Sequence, residues 1–367
     1  MNSLYKEPGE RYFCAANTKD GFVSYFDKVF NETECDRVYI LKGGPGVGKS
    51  TFMKRLALLS RENGCSVEYF HCSSDPESLD GIIIKEKRTA VVDGTSPHTL
   101  EPKTAGVREI IIDLGRAWDT DLLFKHREEI FALSEGKKKQ YDDCYTFLYS
   151  KSVMDGLVYN LVFPYILFDK LDKSAARFSK NLLKGFDKKK ESKVRTRLIS
   201  AFSTLGKIRL STYENSAEMC VFLKEPFDSC GLSSIFLGRV YEYALQAGAD
   251  IDISFCSENK DKICALYLPE IKVSISGYDE NSVMNCDKIL KKCRIINCAR
   301  FLDLKKLSPL KPLRKFYSKL SENMEKQALE CLREAGKAHM DLEKIYRLCT
   351  NYKTVEKISN EYFKKIL

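Results

Sequence analysis

Gly43-Gly44-Pro45-Gly46-Val47-Gly48-Lys49-Ser50-Thr51 has the full pattern of a phosphate-binding loop and is the most informative segment of this 367-residue chain. The run Arg37-Val38-Tyr39-Ile40-Leu41, which is typical of a strand, enters the loop. After the loop, apolar residues follow at helical spacing, and Gly64 ends this pattern: Phe52, Met53, Leu56, Ala57 and Leu59. This order of strand, loop and helix predicts the core of an α/β nucleotide-binding domain.

The loop residues have the properties that a triphosphate with bound Mg²⁺ requires. Glycines let backbone N–H groups turn inward around phosphates, and the first turn of the helix adds the positive end of its dipole. Lys49 is predicted to reach the β and γ phosphates and Ser50 to bind the bridging Mg²⁺, whereas Thr51 continues the helix. The sequence therefore predicts ATP and Mg²⁺ as cofactors, held by residues Gly43 to Thr51.

The bulk composition is that of a two-domain globular protein. The chain is 44% hydrophobic, and its net charge is a mild +9. Short basic clusters at Lys137–Lys139 and Lys188–Lys190 are interpreted as solvated helix surface, since neither has interleaved aromatic residues. Contact with nucleic acid is the less favoured alternative.

Cysteine usage favours a reducing compartment, and hydropathy argues against a membrane-spanning protein. Fourteen cysteines, without an N-terminal apolar signal segment or any CxxC pair, favour free thiols in a reducing cytoplasm. The longest apolar stretch, residues 156–168, contains Asn160 and Pro164 and is too short to span a bilayer. We therefore expect a cytoplasmic protein with no membrane partner.

The chain is an internal duplication. Cys72-Ser73 reappears as Cys256-Ser257, so the two copies are offset by 184 residues. Upstream, Ala15 and Thr18 match Ala201 and Thr204. We predict repeat one at residues 1–196, with a core at about 11–119 and a helical part at about 120–196. Repeat two is predicted at 197–367, with a core at about 197–303 and a helical part at about 304–367.

The second copy lacks the residues that phosphate chemistry needs. Where the first copy has Gly48-Lys49-Ser50, the second has Cys230-Gly231-Leu232-Ser233 with no lysine, which predicts a degenerate, non-binding repeat. Four further side chains lose their charge or titratable group at the same offset: Asp75 becomes Asn259, Asp80 becomes Cys264, Asp93 becomes Gly277 and His98 becomes Ser282. Joint loss favours one shared site in the first copy, although independent drift gives the same pattern.

These four residues are the candidate catalytic residues beside Lys49. Asp93 ends the apolar run Thr89-Ala90-Val91-Val92 and so resembles a Walker B carboxylate, which binds Mg²⁺ through water. Asp75 or Asp80 would position a water molecule and His98 would sense the γ-phosphate. The alternative is structural: the two aspartates precede a proline and a glycine, where turn caps are common, and a lone histidine in a loop is often surface.

The order of predicted elements gives the fold class. Strands at 37–42, 66–72 and 89–93, an apolar segment at 109–113 and a helix at 50–63 predict a parallel sheet covered by helices. After Asp119 the pattern is helical for about 75 residues. We predict tandem P-loop NTPase-like domains, each with a helical appendage that packs on the other appendage or on the neighbouring core.

Three segments carry a resemblance to a known family: Ile40 to Thr51, His71-Cys72-Ser73-Ser74-Asp75-Pro76 with Leu79-Asp80-Gly81, and Val92-Asp93-Gly94-Thr95-Ser96-Pro97-His98. The chain resembles a duplicated P-loop ATPase family of Gram-positive bacteria, sometimes described as nucleotide-kinase-like. The resemblance covers both repeats and implies a P-loop fold and ATP binding. Family members commonly keep a phosphate loop in both copies, so this chain departs from the pattern in its second half.

Three functions share the predicted ATP site. An ATPase is favoured, although Gly94 rather than a glutamate follows Asp93, which argues against a fast motor. A small-molecule or nucleotide kinase, with Asp75 as base, and an ATP-responsive switch or scaffold that binds a protein partner are the alternatives. ATP is preferred over GTP because the sequence has no Asn-Lys-x-Asp motif. Candidate arginines for the transition state are Arg55, Arg88, Arg108, Arg116 and Arg127.

Overall fold

A computed structural model describes residues 9–97, 100–186, 190–288 and 292–367. It contains two α/β halves, which we call the first half (residues 9–186) and the second half (residues 190–367). Each half is built on a six-stranded sheet with helices against it. The predicted α/β class and tandem arrangement are confirmed.

The first half begins with a strand and a hairpin and then alternates strands with helices. Its strands are β1 Glu10–Phe13, β2 Ala15–Thr18, β3 Gly21–Ser24, β4 Arg37–Lys42, β5 Val67–His71, β6 Leu79–Ile84, β7 Thr89–Asp93 and β8 Glu109–Asp113. Its helices are α1 Phe26–Val29, α2 Lys49–Glu62, α3 Thr120–Lys125, α4 Arg127–Val162 and α5 Phe168–Leu182. The sheet order is β1-β5-β6-β7-β4-β8, and β2 pairs with β3 separately.

The second half repeats this topology strand for strand. Its strands are β9 Val194–Thr196, β10 Ser200–Ser203, β11 Gly206–Arg209, β12 Met219–Lys224, β13 Ile251–Cys256, β14 Asn259–Leu268, β15 Val273–Gly277 and β16 Lys292–Asn297. Its helices are α6 Thr212–Ser216, α7 Leu232–Gln246, α8 Glu280–Lys288, α9 Leu304–Leu307, α10 Lys311–Leu348 and α11 Tyr352–Ile366. The order β9-β13-β14-β15-β12-β16 is the first sheet again, so the two halves are structural copies.

The hairpins correct one detail of the sequence match. Thr18 Oγ1 donates to the carbonyl of Gly21 at 2.9 Å, and Ser203 Oγ donates to the carbonyl of Gly206 at 3.0 Å. Thr18 is therefore equivalent to Ser203 and not to Thr204, because the hydroxyl closes the same turn in both copies.

The sheets are mixed, whereas the sequence predicted parallel strands only. The missed strand β6 runs antiparallel to both of its neighbours, and β14 does the same in the second sheet. Asp80-Gly81 is typical of a turn, but in the structure both residues lie inside β6. A Cβ on Gly81 would lie 2.5 Å from Cζ of Phe30, so glycine is needed there to seat an aromatic ring and not to turn the chain.

The predicted strand and helix around the phosphate loop are present. Residues Val38 to Leu41 of β4 are buried on both faces, as expected of a central strand in a sheet covered by helices. The buried stripe of α2 contains Phe52, Met53, Leu56 and Ala57, which confirms the helical pattern.

The long helices cross between the two halves. Backbone bridges join Ile166 to Leu302 and Trp118 to Thr350, so α4 leads from the first core to the second, and α10 leads back. The two helices pack along each other. As a result α5 lies on the core of the second half and α11 on the core of the first half.

Replacing Ile358 with valine tests this exchange of helices. Ile358 lies on α11 and is buried in the first-half core, so we expect a loss of about 0.5–1.5 kcal/mol in the free energy of unfolding. Urea denaturation measures the change. The matched control is Ile295→Val, because Ile295 is exposed in β16 and its truncation removes little buried surface. Equal small effects in both variants would contradict the packing of α11 on the first core.

The part of the chain that the structure describes contains no helix that is both long enough and apolar enough to cross a bilayer.

Candidate functional site

The phosphate loop, residues Gly43 to Thr51, connects β4 to α2 and has the backbone shape of an anion cradle. Gly46 and Gly48 take φ angles of +69° and +102°, which strain any residue with a Cβ. Gly48 is the N-cap of α2, and Lys49 is the first helical residue. The unpaired N–H groups of the first helical turn therefore face the space that the loop surrounds.

Lys49 and Asp93 meet at this loop. The ammonium of Lys49 donates to the carbonyls of Gly43 at 2.7 Å and Gly44 at 3.0 Å, and its Nζ lies 3.6 Å from Oδ2 of Asp93. Both side chains are largely buried, at 12% and 15% exposure. Because burial weakens solvent screening, the two charges interact more strongly than a surface pair.

Asp93 occupies the position that its sequence pattern predicted. It ends β7, which lies directly beside β4 in parallel register, with Leu41 opposite Asp93. Its Oδ1 accepts hydrogen bonds from the N–H and the hydroxyl of Thr95, at 2.9 and 2.6 Å. These bonds fix the carboxylate at the carboxyl end of the strand, where ligands bind in α/β sheets.

The residues fit a nucleotide with Mg²⁺. Ser50 Oγ accepts a hydrogen bond from the N–H of Leu79 at 3.1 Å, which leaves the hydroxyl a second lone pair for a metal ion. Mg²⁺ takes most of its ligands from water and phosphate, so one hydroxyl and one nearby carboxylate suffice on the protein side. Thr51 is exposed on α2, as expected of a residue that only continues the helix.

The remaining predicted residues are placed unequally. Asp75 is exposed and caps a turn, since it accepts from the N–H of Glu77 and the hydroxyl of Ser78. Asp80 is buried in β6, and its charge, after burial itself, raises the pKa of the Cys72 thiol. His98 lies outside the described residues. Turn capping is therefore confirmed for Asp75 and wrong for Asp80.

The second half covers the phosphate loop, which sequence reasoning missed. A Cβ on Gly44 would lie 2.9 Å from the ring of Tyr346, and a Cβ on Gly46 would lie 3.0 Å from Cγ of Arg347. The hydroxyl of Tyr352 donates to the carbonyl of Gly46 at 2.9 Å. These residues are about 300 positions from the loop in sequence, and only the crossing of α10 brings them there.

Lys137 and His339 are a second pair that sequence reasoning missed. Nζ of Lys137 on α4 lies 3.1 Å from Nδ1 of His339 on α10. Burial, followed by the charge of Lys137, lowers the pKa of His339 to about 4, and the charges of Asp75 and Asp93 oppose that shift. Burial, with a contribution from Lys49, lowers the pKa of Lys137. Lys137, His339 and Lys49 therefore border one site together with the two acids.

The lysine cluster at 137–139 is thus only in part a solvated surface. Lys138 and Lys139 are exposed, whereas Lys137 is half-buried and faces α10. Lys188 and Lys189 of the second cluster lie outside the described residues. Helical periodicity could have identified Lys137, because it is the one lysine of this cluster that lies on the inner face of α4.

Of the arginines proposed from sequence, three form ion pairs, one of which joins Arg127 to Glu128 at 3.1 Å. Arg88 pairs with Asp36 at 2.9 Å, and Arg108 pairs with Glu109 at 2.6 Å. The arginine that contacts the phosphate loop is Arg347, which also bonds Glu343 on its own helix. Nε of Arg347 would lie 3.5 Å from a Cβ on Gly46, so its guanidinium borders the loop.

The degenerate loop of the second half, residues 225–233, holds an anion of its own. The carboxylate of Glu225 accepts hydrogen bonds from the N–H of Gly231 at 3.1 Å and the N–H of Ser233 at 2.7 Å. Gly231, with φ of +78°, is the N-cap of α7. A carboxylate therefore takes the place at the helix N-terminus that a phosphate would need.

In comparisons with known proteins, no family model matched the chain, and neither the curated proteins nor the solved structures gave a significant match. The resemblance to a duplicated P-loop family therefore stays a prediction.

Proposed function

We propose that this chain binds ATP with Mg²⁺ at one site in its first half and hydrolyses it. The observation that carries the proposal is the position of the Lys49 ammonium, between two carbonyls of the phosphate loop and the carboxylate of Asp93. A buried ammonium beside a cradle of backbone N–H groups matches the charge of a β,γ-diphosphate.

Each residue of the site has a specific part in this proposal. The first turn of α2 and Lys49 bind the phosphates, and Ser50 with Asp93 holds Mg²⁺, the latter through water. Mg²⁺ supplies charge neutralisation at the transferred phosphoryl group when it is bound. Asp75, exposed at the border of the site, is the acid that orients water, and Arg347 adds positive charge from the second half.

A single site follows from the composition of the degenerate loop. Glu225 already accepts the N–H groups at the start of α7, and a triphosphate there would meet this carboxylate instead of a lysine. The negative charges of the Glu225 carboxylate and of a triphosphate would repel each other strongly in this partly buried site. We therefore assign no nucleotide to the second half.

A nucleotide-responsive switch is the second candidate, and one observation favours it. Tyr346, Arg347 and Tyr352 of the second half all contact the phosphate loop, so the occupant of that loop acts directly on α10 and α11. Such a protein binds ATP tightly but turns it over slowly without its partner.

The destination of the γ-phosphate tests the function. Purified protein is incubated with Mg²⁺ and ATP labelled at the γ-phosphate, with and without a cytoplasmic small-molecule extract. We expect the label as free phosphate in both samples. A Lys49→Ala protein prepared in parallel identifies phosphate released by a contaminating enzyme.

The other outcomes reject hydrolysis in distinct ways. Label in a new compound only when extract is present would establish a kinase instead. Bound ATP without release would establish the switch. Absence of any ATP binding would reject the site itself.

A further inference from the structure

The copies of the fold allow the helix pair above each loop to be compared position by position. Lys137 and Ser321 differ by 184 in number, and so do Asp155 and His339. The Lys137–His339 contact in the first half is therefore equivalent to the Ser321–Asp155 contact in the second half, where the hydroxyl donates to Oδ1 at 2.6 Å.

In the second half, Asp155 of this helix pair bonds the degenerate loop. Oδ1 of Asp155 also accepts a hydrogen bond from Ser229 of the degenerate loop at 2.7 Å. Ser229 and Gly46 each stand two residues before the N-cap glycine, and their φ angles are +59° and +69°. The helix pair at 137 and 339 therefore faces the phosphate loop near Gly46.

The first half has different chemistry at this position. The first half has the imidazole of His339 in place of the Asp155 carboxylate, and the ammonium of Lys137, which donates to that imidazole, in place of the Ser321 hydroxyl. Nε2 of His339 lies 3.7 Å from Oε1 of Glu343. Within the described ranges no carboxylate forms an ion pair with Lys137, whose other nearby cation is Lys49. Lys49 already has Asp93 at 3.6 Å, and Glu343 acts on Lys137 without forming an ion pair, so a bound anion would mainly compensate the charge of Lys137.

We propose that Lys137, oriented by His339, contacts the terminal phosphate of the bound nucleoside triphosphate and so makes the site prefer a triphosphate over a diphosphate. The inference rests on the proposed ATP site. His339 is a positioning residue, because it acts through Lys137. Lys137 lies on α4 and His339 on α10. The proposed contact with the γ-phosphate therefore requires residues of both halves.

Calorimetric titration of a non-hydrolysable ATP analogue and of ADP, each with Mg²⁺, tests the inference. For Lys137→Met we expect affinity for the triphosphate to fall by about tenfold or more, since a charge-assisted hydrogen bond is lost. We expect affinity for ADP to change by less than about twofold, because ADP lacks the contacted phosphate. The matched control is Lys138→Met, which removes an exposed neighbouring lysine and is expected to change neither.

Two variants of His339 separate positioning from structure. His339→Leu removes the acceptor and is expected to lower the triphosphate preference as Lys137→Met does. His339→Asn keeps an acceptor at the place of Nδ1 and is expected to restore most of the preference. A general structural loss would lower the affinity for both nucleotides in all variants.

Equal losses for ATP analogue and ADP in Lys137→Met, or an unchanged ratio, would overturn the inference while the ATP site stands. If the unaltered protein binds neither nucleotide, the proposed function fails, and this contact fails with it.

Discussion

Lys49→Ala is expected to abolish Mg²⁺-dependent ATP binding, with an affinity loss of at least about 100-fold. Lys49 is the only lysine of the phosphate loop, and its ammonium is held by Gly43, Gly44 and Asp93 at the point where the β and γ phosphates would lie. Loss of two charge-assisted contacts, at about 1.5–3 kcal/mol each, corresponds to roughly two to four orders of magnitude in affinity. Calorimetric titration with Mg²⁺ and ATP measures it.

The control for this variant lies on the same helix. Lys54 is exposed on α2 and donates to the carbonyl of Glu77. Lys54→Ala is expected to bind ATP like the unaltered protein. Circular dichroism melting of both variants shows whether the fold is kept. ATP binding that persists in a folded Lys49→Ala protein would reject the assignment of the site to the first half.

Arg197→Met is expected to lower the free energy of unfolding by about 3–5 kcal/mol, because it removes the fully buried cation beside Glu34 and Glu68. Arg197 is fully buried where the two halves meet, and its Nη2 lies 2.9 Å from both Glu34 and Glu68. Its guanidinium also stacks over Phe70. Glu68 is itself buried, and its other cations, Lys85 at 3.4 Å and Arg195 at 3.8 Å, lie farther away and replace the lost charge only in part.

A surface pair provides the comparison. Lys272 and Glu218 are 2.8 Å apart and exposed, so Lys272→Met is expected to cost less than about 1 kcal/mol. Arg197→Lys keeps the positive charge but lacks the planar fork of N–H donors, so its loss in the free energy of unfolding is expected to lie between those of the other two variants. Urea denaturation gives all three values. A loss below about 1 kcal/mol for Arg197→Met would show that the buried carboxylates do not depend on this arginine.

Local patterns were sufficient for much of the fold. The apolar run of β4, the loop glycines and the stripe of α2 determine their own structures, since strand burial and helical periodicity are set by neighbours in sequence. The offset of 184 residues between copies predicted a repeated fold, and the two sheet orders agree. Asp93 was identified from a local pattern too. It ends an apolar strand, and the carboxyl ends of neighbouring parallel strands lie at the same edge of the sheet as the phosphate loop.

Residues whose environment is set by distant parts of the chain were misread. Asp80-Gly81 is a turn signal locally, but the ring of Phe30 requires a glycine within β6. Lys137 is one of three consecutive lysines, and only its contact with His339 distinguishes it from the others. Propensity and composition are weak signals where tertiary contacts decide the conformation.

The residues of the first half are thus sufficient to predict a phosphate loop with a lysine and an acid beside it, and those of the second half show that both are missing there. The position of α10 and α11 of the second half on that loop follows from tertiary packing alone. The physical reason is that loop chemistry and helix patterns are encoded within a few residues, whereas a site built by two crossing helices depends on packing between residues about 200 to 300 positions apart.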